Sequence, residues 1–115
     1  MLEKKKSNDL VFVLTTEADL EKAQILANSI LESKFAACVS LRAINSSYWW
    51  KEKIVSSKEI EILMKTRSYL VDKLLNLINK MHSYDTPEFI YWDATSSPDY
   101  FEWLSKSIQK DNLNP

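Results

Sequence analysis

The 115-residue chain contains no glycine. Phosphate cradles of the P-loop and dinucleotide-binding kinds need backbone conformations that glycine alone adopts readily, so both are excluded. Cysteine occurs once, at Cys38, which excludes an intramolecular disulfide framework and any zinc site made of several thiolates from one chain. Histidine also occurs once, at His82, and a mononuclear zinc hydrolase centre needs more imidazoles than that. Neither sign of charge is in surplus, with 15 Lys+Arg against 16 Asp+Glu. That balance gives no electrostatic footprint for DNA, RNA or an anionic membrane, so neither a nucleic-acid nor a membrane partner is expected. No apolar run is long enough to span a bilayer. The start Met1-Leu2-Glu3-Lys4-Lys5-Lys6 is charged like the front of a signal peptide, but the apolar run behind it ends at Thr15-Thr16-Glu17 and is too short. The expected compartment is the cytoplasm, which suits a lone thiol.

What is present fits one domain, expected over residues 9–110, with flexible tails at 1–8 and 111–115. Leu10-Val11-Phe12-Val13-Leu14 is a continuous apolar run of strand type, buried on both faces. Thr16-x-x-Asp19 resembles a capping box that opens a helix with Leu20, Ala23, Ala27, Ile30 and Leu31 on its apolar face. Residues 36–44 and 59–66 alternate as strands, and Tyr48-Trp49-Trp50-Lys51-Glu52-Lys53-Ile54 between them reads as the far end of a long hairpin. Without glycine a primed two-residue turn is unfavourable there, so a longer loop or a bulge is expected. Ser68 reads as the cap of a second helix whose apolar face is Leu70, Val71, Leu74, Leu75, Ile78 and Met81. Thr86-Pro87 breaks the chain before a fourth strand at 88–93. Ser97-Pro98 then starts a last helix with Tyr100, Trp103, Leu104 and Ile108 as its buried stripe. The order β-α-β-β-α-β-α predicts an α+β fold, the ferredoxin-like sandwich with a C-terminal helix and a long β2-β3 hairpin.

Two helices cover one face of such a sheet. The first strand is apolar on both faces, so the second face also needs a cover. Trp49 and Trp50 are neighbours on a strand and leave it on opposite sides, which one monomer cannot bury at a hairpin tip. Packing of Tyr48, Trp49 and Trp50 on another copy of the chain answers both needs. The alternative is a monomer whose last helix folds over the second face.

These residues resemble a known family. Ala36-Ala37-Cys38-Val39, Tyr48-Trp49-Trp50-Lys51-x-Lys53-Ile54, Lys65-Thr66, His82-Ser83-Tyr84-Asp85-Thr86-Pro87-Glu88 and Asp99-Tyr100-x-x-Trp103-Leu104 follow the order and spacing of the CutA family, the divalent-cation tolerance proteins. The resemblance runs from about Val11 to Ile108. It implies a ferredoxin-like fold, a homotrimer built like the PII signalling proteins, a link to copper and other divalent cations, and no enzyme activity. Three positions depart from the family pattern. Glu52 stands where glycine is usual in the hairpin, and Ser83 and Asp85 replace a proline and a glutamate, which is expected to loosen the loop before Pro87. Thr15 and Thr16 stand where some members carry a second thiol, which weakens a two-thiol copper site.

The candidate metal ligands are His82, Cys38, Asp85 and Glu88. Cys38 is a soft donor suited to copper(I), or else a small packing residue. His82 is a ligand, or else a helix-end histidine that meets the last carbonyls. Copper(II) or another divalent cation is the expected ion, with no obligatory cofactor. Tyr84 and Lys65 are candidates for a cleft, and the alternative function is a PII-like trimer that binds a small molecule between subunits. An acid–base pair of His82 and Glu88 is the remote enzymatic reading.

Overall fold

The computed structural model describes residues 7–111; of the expected tails at 1–8 and 111–115, residues 1–6 and 112–115 lie outside them. Seven elements follow in the expected order: β1 (Ser7–Glu17), α1 (Leu20–Glu32), β2 (Cys38–Trp50), β3 (Lys53–Arg67), α2 (Val71–Met81), β4 (Ile90–Ser96) and α3 (Pro98–Ser107). The strands form one sheet in the order β2-β3-β1-β4, with each neighbouring pair antiparallel. This is the ferredoxin-like arrangement that the order of elements implies. β1 begins at Ser7, so the ordered domain takes in part of the expected tail.

Cross-strand register decides which side chains share a face. Val11, Val13, Thr15 and Glu17 lie opposite Thr66, Met64, Ile62 and Ile60, and this set faces α1 and α2. Ala23, Leu26, Ala27 and Ile30 of α1, and Val71, Leu74 and Ile78 of α2, close the core over it. Truncation of a side chain such as Leu74, which is fully buried, costs about 2–5 kcal/mol. The buried stripe of α1 is rotated from the expected one: Leu26 is inside, while Leu20 and Leu31 are exposed. Leu20 opens the helix and stands three positions before its first buried residue, Ala23. Asp19, not Thr16, is its cap and accepts from the Lys22 N–H at 2.9 Å. Thr16 stays in the strand.

The second face is divided. At one end α3 packs Leu104 and Ile108 onto Leu10 and Leu70, with Phe12, Ala94, Tyr100 and Phe101 around them. Ser97 caps this helix and Pro98 opens it, as the sequence implies. Trp103, expected in the buried stripe, is exposed. Beyond the reach of α3, Ile90 and Trp92 of β4 remain uncovered on the sheet.

Ser68 does not cap α2. A 3-10 turn (Ser68–Leu70) precedes that helix, and the Ser68 hydroxyl donates to Asp9 instead. Met81, expected on the inner stripe of α2, is exposed at its last position. At the end of α1, Lys34 takes positive φ, while the Lys34 N–H donates to Leu31 O and the Phe35 N–H to Ile30 O. That is a Schellman ending without glycine.

The hairpin turn corrects the expectation of a longer loop. Trp50 pairs with Lys53, and the two residues between them, Lys51 (φ 51°) and Glu52 (φ 66°), are both left-handed. This is a primed two-residue turn, whose twist matches that of the flanking strands. The long ladder from Cys38↔Lys65 to Trp50↔Lys53 imposes it against side chains that disfavour positive φ by about 1–2 kcal/mol each. Glu52→Gly removes one such penalty but makes the unfolded chain freer. A net gain of about 0.5–1 kcal/mol is expected in urea titrations at matched protomer concentration.

Candidate functional site

Where the arm leaves the sheet, the 83–88 loop turns back against β3. Between arm and loop lies a cleft of about 590 Å³. Tyr48 and Trp50 of β2, Glu59 of β3, and Tyr84, Asp85 and Glu88 of the loop line it. The period of two puts Tyr48 and Trp50 on one side of β2, together with Glu59 across the ladder. The Tyr84 hydroxyl donates to Glu59 Oε2 at 2.7 Å and ties the loop to the sheet. Burial first, and then the hydrogen bond to the Glu59 carboxylate, pushes the Tyr84 phenol far above its ordinary value. Burial, followed by the charges of Glu59 and Glu61, raises the Glu88 carboxyl. Glu59, Asp85 and Glu88 give the cleft three carboxylates.

The loop is held from beneath by His82 and Glu17, whose side chains are 0% and 2% exposed. The Tyr84 N–H donates to His82 Nδ1 at 2.9 Å, and His82 Nε2 meets the Thr16 carbonyl. A nitrogen that accepts an N–H carries no proton, so the imidazole is the neutral Nε2–H tautomer. The separation of 3.6 Å between Nδ1 and Glu17 Oε2 is then a contact and not an ion pair. Glu17 instead accepts three hydrogen bonds: from the Ala18 N–H at 2.7 Å, the Ser83 N–H at 3.0 Å and the Ser83 hydroxyl at 2.5 Å. Burial works to raise its carboxyl, but the Ser83 hydroxyl and the two amide donors outweigh it and hold the group below the usual carboxylate range. Ser83, expected to loosen the loop, thus supplies two anchors, neither of which a proline could make.

The structure does not gather the four candidate ligands into one donor set. Among the described residues no three of His, Cys, Asp or Glu are placed to hold a metal ion. Both ring nitrogens of His82 are engaged, so it ligates only by giving up a hydrogen bond. Cys38 pairs with Lys65, whereas Thr16 of the cleft pairs with Glu61, four residues back along β3. That is about 13 Å along the strand. Cys38 is half-buried beside Ser40. Asp85 and Glu88 do share the cleft, with Tyr84 between their walls. Lys65, the other expected cleft residue, lies far from it and sits over the Tyr100 ring of α3 at 5.8 Å.

Two functional residues went unread in the sequence, Glu17 and Glu59. Glu17 had a signal: it continues the inward alternation Val11, Val13, Thr15, so a carboxylate had to be buried there and needed partners. Glu59 alternates outward with Glu61 and carries no such mark. Thr15 is also buried, and its hydroxyl has no hydrogen-bond partner among the described residues. Thr15→Val keeps the shape and removes that hydroxyl. A rise of about 1 kcal/mol in unfolding free energy is expected by chemical denaturation.

Sheet order, hairpin arm and cleft define a ferredoxin-like module in which an extended arm projects past a two-layer body. The chain belongs to the CutA1 divalent ion tolerance protein family, whose family model matches residues 11–107. It is 34% identical over 102 residues to the divalent-cation tolerance protein CutA of Pyrococcus horikoshii, covering 88% of this chain and 100% of that protein. It is 40% identical over 99 residues to the CutA of Archaeoglobus fulgidus, covering 85% and 97%. The solved structure of CutA from Synechococcus elongatus PCC7942 matches with a TM-score of 0.88 at 33% identity, over 91% of this chain and 95% of that one.

Proposed function

We propose that this chain works as a non-catalytic homotrimer that binds divalent cations, copper among them, and serves cation tolerance in the cytoplasm. The carrying observation is the arm. Trp49 (69% exposed) and Ile54 (67%) face each other on one side of it, and Trp50 (60%) and Tyr48 occupy the other. Apolar side chains of this size, continued by Ile90 and Trp92 on the open sheet face, form a surface that monomers rarely leave in water. A second copy is the economical cover, and the trimeric count comes from the family resemblance. The relatives' names, which specify divalent-cation tolerance and no reaction, support the cation reading.

For the cations themselves, Asp85 and Glu88 are the accessible donors, and three-fold symmetry repeats them. His82 is committed to the loop, and Cys38 lies too far along the sheet to join them. Sedimentation equilibrium at micromolar protomer is expected to give three times the chain mass; a monomer mass sinks the assembly. Titration calorimetry with copper(II) at neutral pH is expected to show modest binding that Asp85→Asn/Glu88→Gln weakens about tenfold, while Cys38→Ser leaves it unchanged. Loss of binding in Cys38→Ser alone would move the site to the thiol.

A further inference from the structure

His82 is the chain's only histidine, and its side chain is buried. Three hydrogen bonds fix it. Its backbone N–H, at the end of α2, donates to the Ile78 carbonyl at 2.8 Å. Its Nε2–H donates to the Thr16 carbonyl of β1, and its Nδ1 accepts the Tyr84 N–H at 2.9 Å. The first two bonds are indifferent to the charge of the ring, because Nε2 carries a hydrogen in the neutral tautomer present here and in the cation. The third is not. A protonated Nδ1 is itself a donor and cannot accept the Tyr84 N–H, which must then turn away.

An acceptor for the new proton lies beside the ring. Glu17 Oε2 stands 3.6 Å from Nδ1 and accepts only the Ser83 N–H, so one of its lone pairs is free. The Ser83 hydroxyl and N–H stay on the Glu17 carboxylate in either form of the ring. The chain can therefore hinge between Ser83, which is held, and Tyr84, which is released. The other titratable groups around the ring leave this exchange alone. Lys22 of α1, on the far side of Glu17, has its ammonium on Asp19 at 3.2 Å. The Tyr84 ring lies 4.7 Å from the imidazole, and its hydroxyl is held by Glu59 of β3. Lys80 of α2 is exposed to water.

We infer that His82 is a proton-operated latch on the 84–88 segment. The neutral ring holds the Tyr84 amide and keeps the segment against the sheet; the imidazolium pairs with Glu17 and lets the segment go. Imidazole is the side chain whose charge ordinarily changes between about pH 5 and 8, so the latch answers modest changes of acidity. All of its bonds lie within one chain. The segment carries Asp85 and Glu88, so the latch also sets the position of the cation donors proposed above, but it stands without that reading.

Nuclear magnetic resonance of the intact protein, with a chelator present so that no metal competes for the ring, tests the inference. A single histidine gives one pair of ring nitrogen signals. From about pH 8 to about pH 5 these are expected to pass from the Nε2–H tautomer to the imidazolium. Protection of the Tyr84 amide against hydrogen exchange should fall about tenfold or more in step with them, while the Ser83 amide keeps its protection. In His82→Gln, which has no ring to titrate, Tyr84 protection should stay level over the same range. In Glu17→Gln the imidazolium loses its carboxylate, and the step should move to lower pH; this variant keeps the ring and serves where His82→Gln fails to fold. A ring that remains neutral throughout overturns the inference, as does a ring that takes up its proton while the Tyr84 amide remains protected. Equal loss of protection at Ser83 and Tyr84 also overturns it, because that is a general loosening in acid. None of these outcomes depends on whether the loop binds a cation.

Discussion

Glu17→Ala is expected to lower the unfolding free energy by about 3 kcal/mol and to release the 83–88 loop. The substitution removes the acceptor for three donors at once: the amides of Ala18 and Ser83 and the Ser83 hydroxyl. Ala18 and Ser83 are exposed residues, so water replaces part of what the donors lose, and each lost bond costs about 1 kcal/mol. Glu17→Gln retains one acceptor oxygen but turns an NH₂ toward a donor, so a smaller loss of about 1–2 kcal/mol is expected. The pH dependence has a definite sign. The carboxyl of Glu17 is held below its ordinary 4.5 in the folded chain, so the unfolded chain takes up its proton first as the solution is acidified. The stability it contributes is complete above about pH 4.5 and is lost as the pH falls through the lower folded value. Glu17→Gln should therefore flatten the acid limb of a stability-against-pH curve, with protomer concentration fixed because the proposed assembly would contribute to stability. An acid limb as steep as that of the wild type would show that other carboxylates carry it. Hydrogen exchange at the Tyr84 amide supplies a local readout, and faster exchange there in Glu17→Ala than in the wild type would mark the loosened loop.

The elements were legible in the sequence wherever periodicity and caps agreed. β1 announced itself through an apolar run, α3 through Ser97-Pro98, and the sheet order through the succession of elements. Local chemistry misled where a long-range constraint outweighed it. The missing glycine argued against a tight turn at Lys51-Glu52, yet thirteen paired positions along β2 and β3 leave the chain only two residues in which to reverse. Thr16 has the chemistry of a cap, but its place in the β1 ladder opposite Glu61 keeps it extended, and Asp19 takes the role. The arm aromatics were read apart from Tyr84, Asp85 and Glu88, and the cleft that joins Tyr48 and Trp50 to those three came from the loop turning back on β3. Lys65 and Cys38 had no such fate, because nothing in a list of residue types records distance along a strand. His82 shows the same limit from the other side: the sequence marks it as the sole imidazole, while its tautomer and its availability depend on the Tyr84 amide and the Thr16 carbonyl.

Ile54→Lys combined with Trp49→Ser is expected to convert the proposed assembly to monomers at micromolar concentration while the fold of each chain persists. The two side chains are cross-strand partners at the end of the arm and share the side opposite to the cleft. Both are more exposed than covered within one chain, so their replacement removes no packing from the body of the domain. In an assembly they are the kind of large apolar anchors whose truncation costs about 2 kcal/mol or more each, and an interfacial lysine adds the desolvation of a charge. Two such losses repeated at every copy of a symmetric contact amount to a weakening of about a thousandfold or more. Sedimentation equilibrium reads the mass directly, and far-ultraviolet circular dichroism should stay unchanged because the paired strands keep their backbone hydrogen bonds. Thiol labelling reports on the sheet face independently: Cys38, half-buried in one chain, should react slowly in the wild-type assembly and faster in the double variant. A double variant that retains the wild-type mass and the wild-type labelling rate would show that the arm's Trp49 side is not a subunit contact. The contact would then have to lie on the open sheet face at Ile90 and Trp92, where Trp92→Lys becomes the decisive substitution.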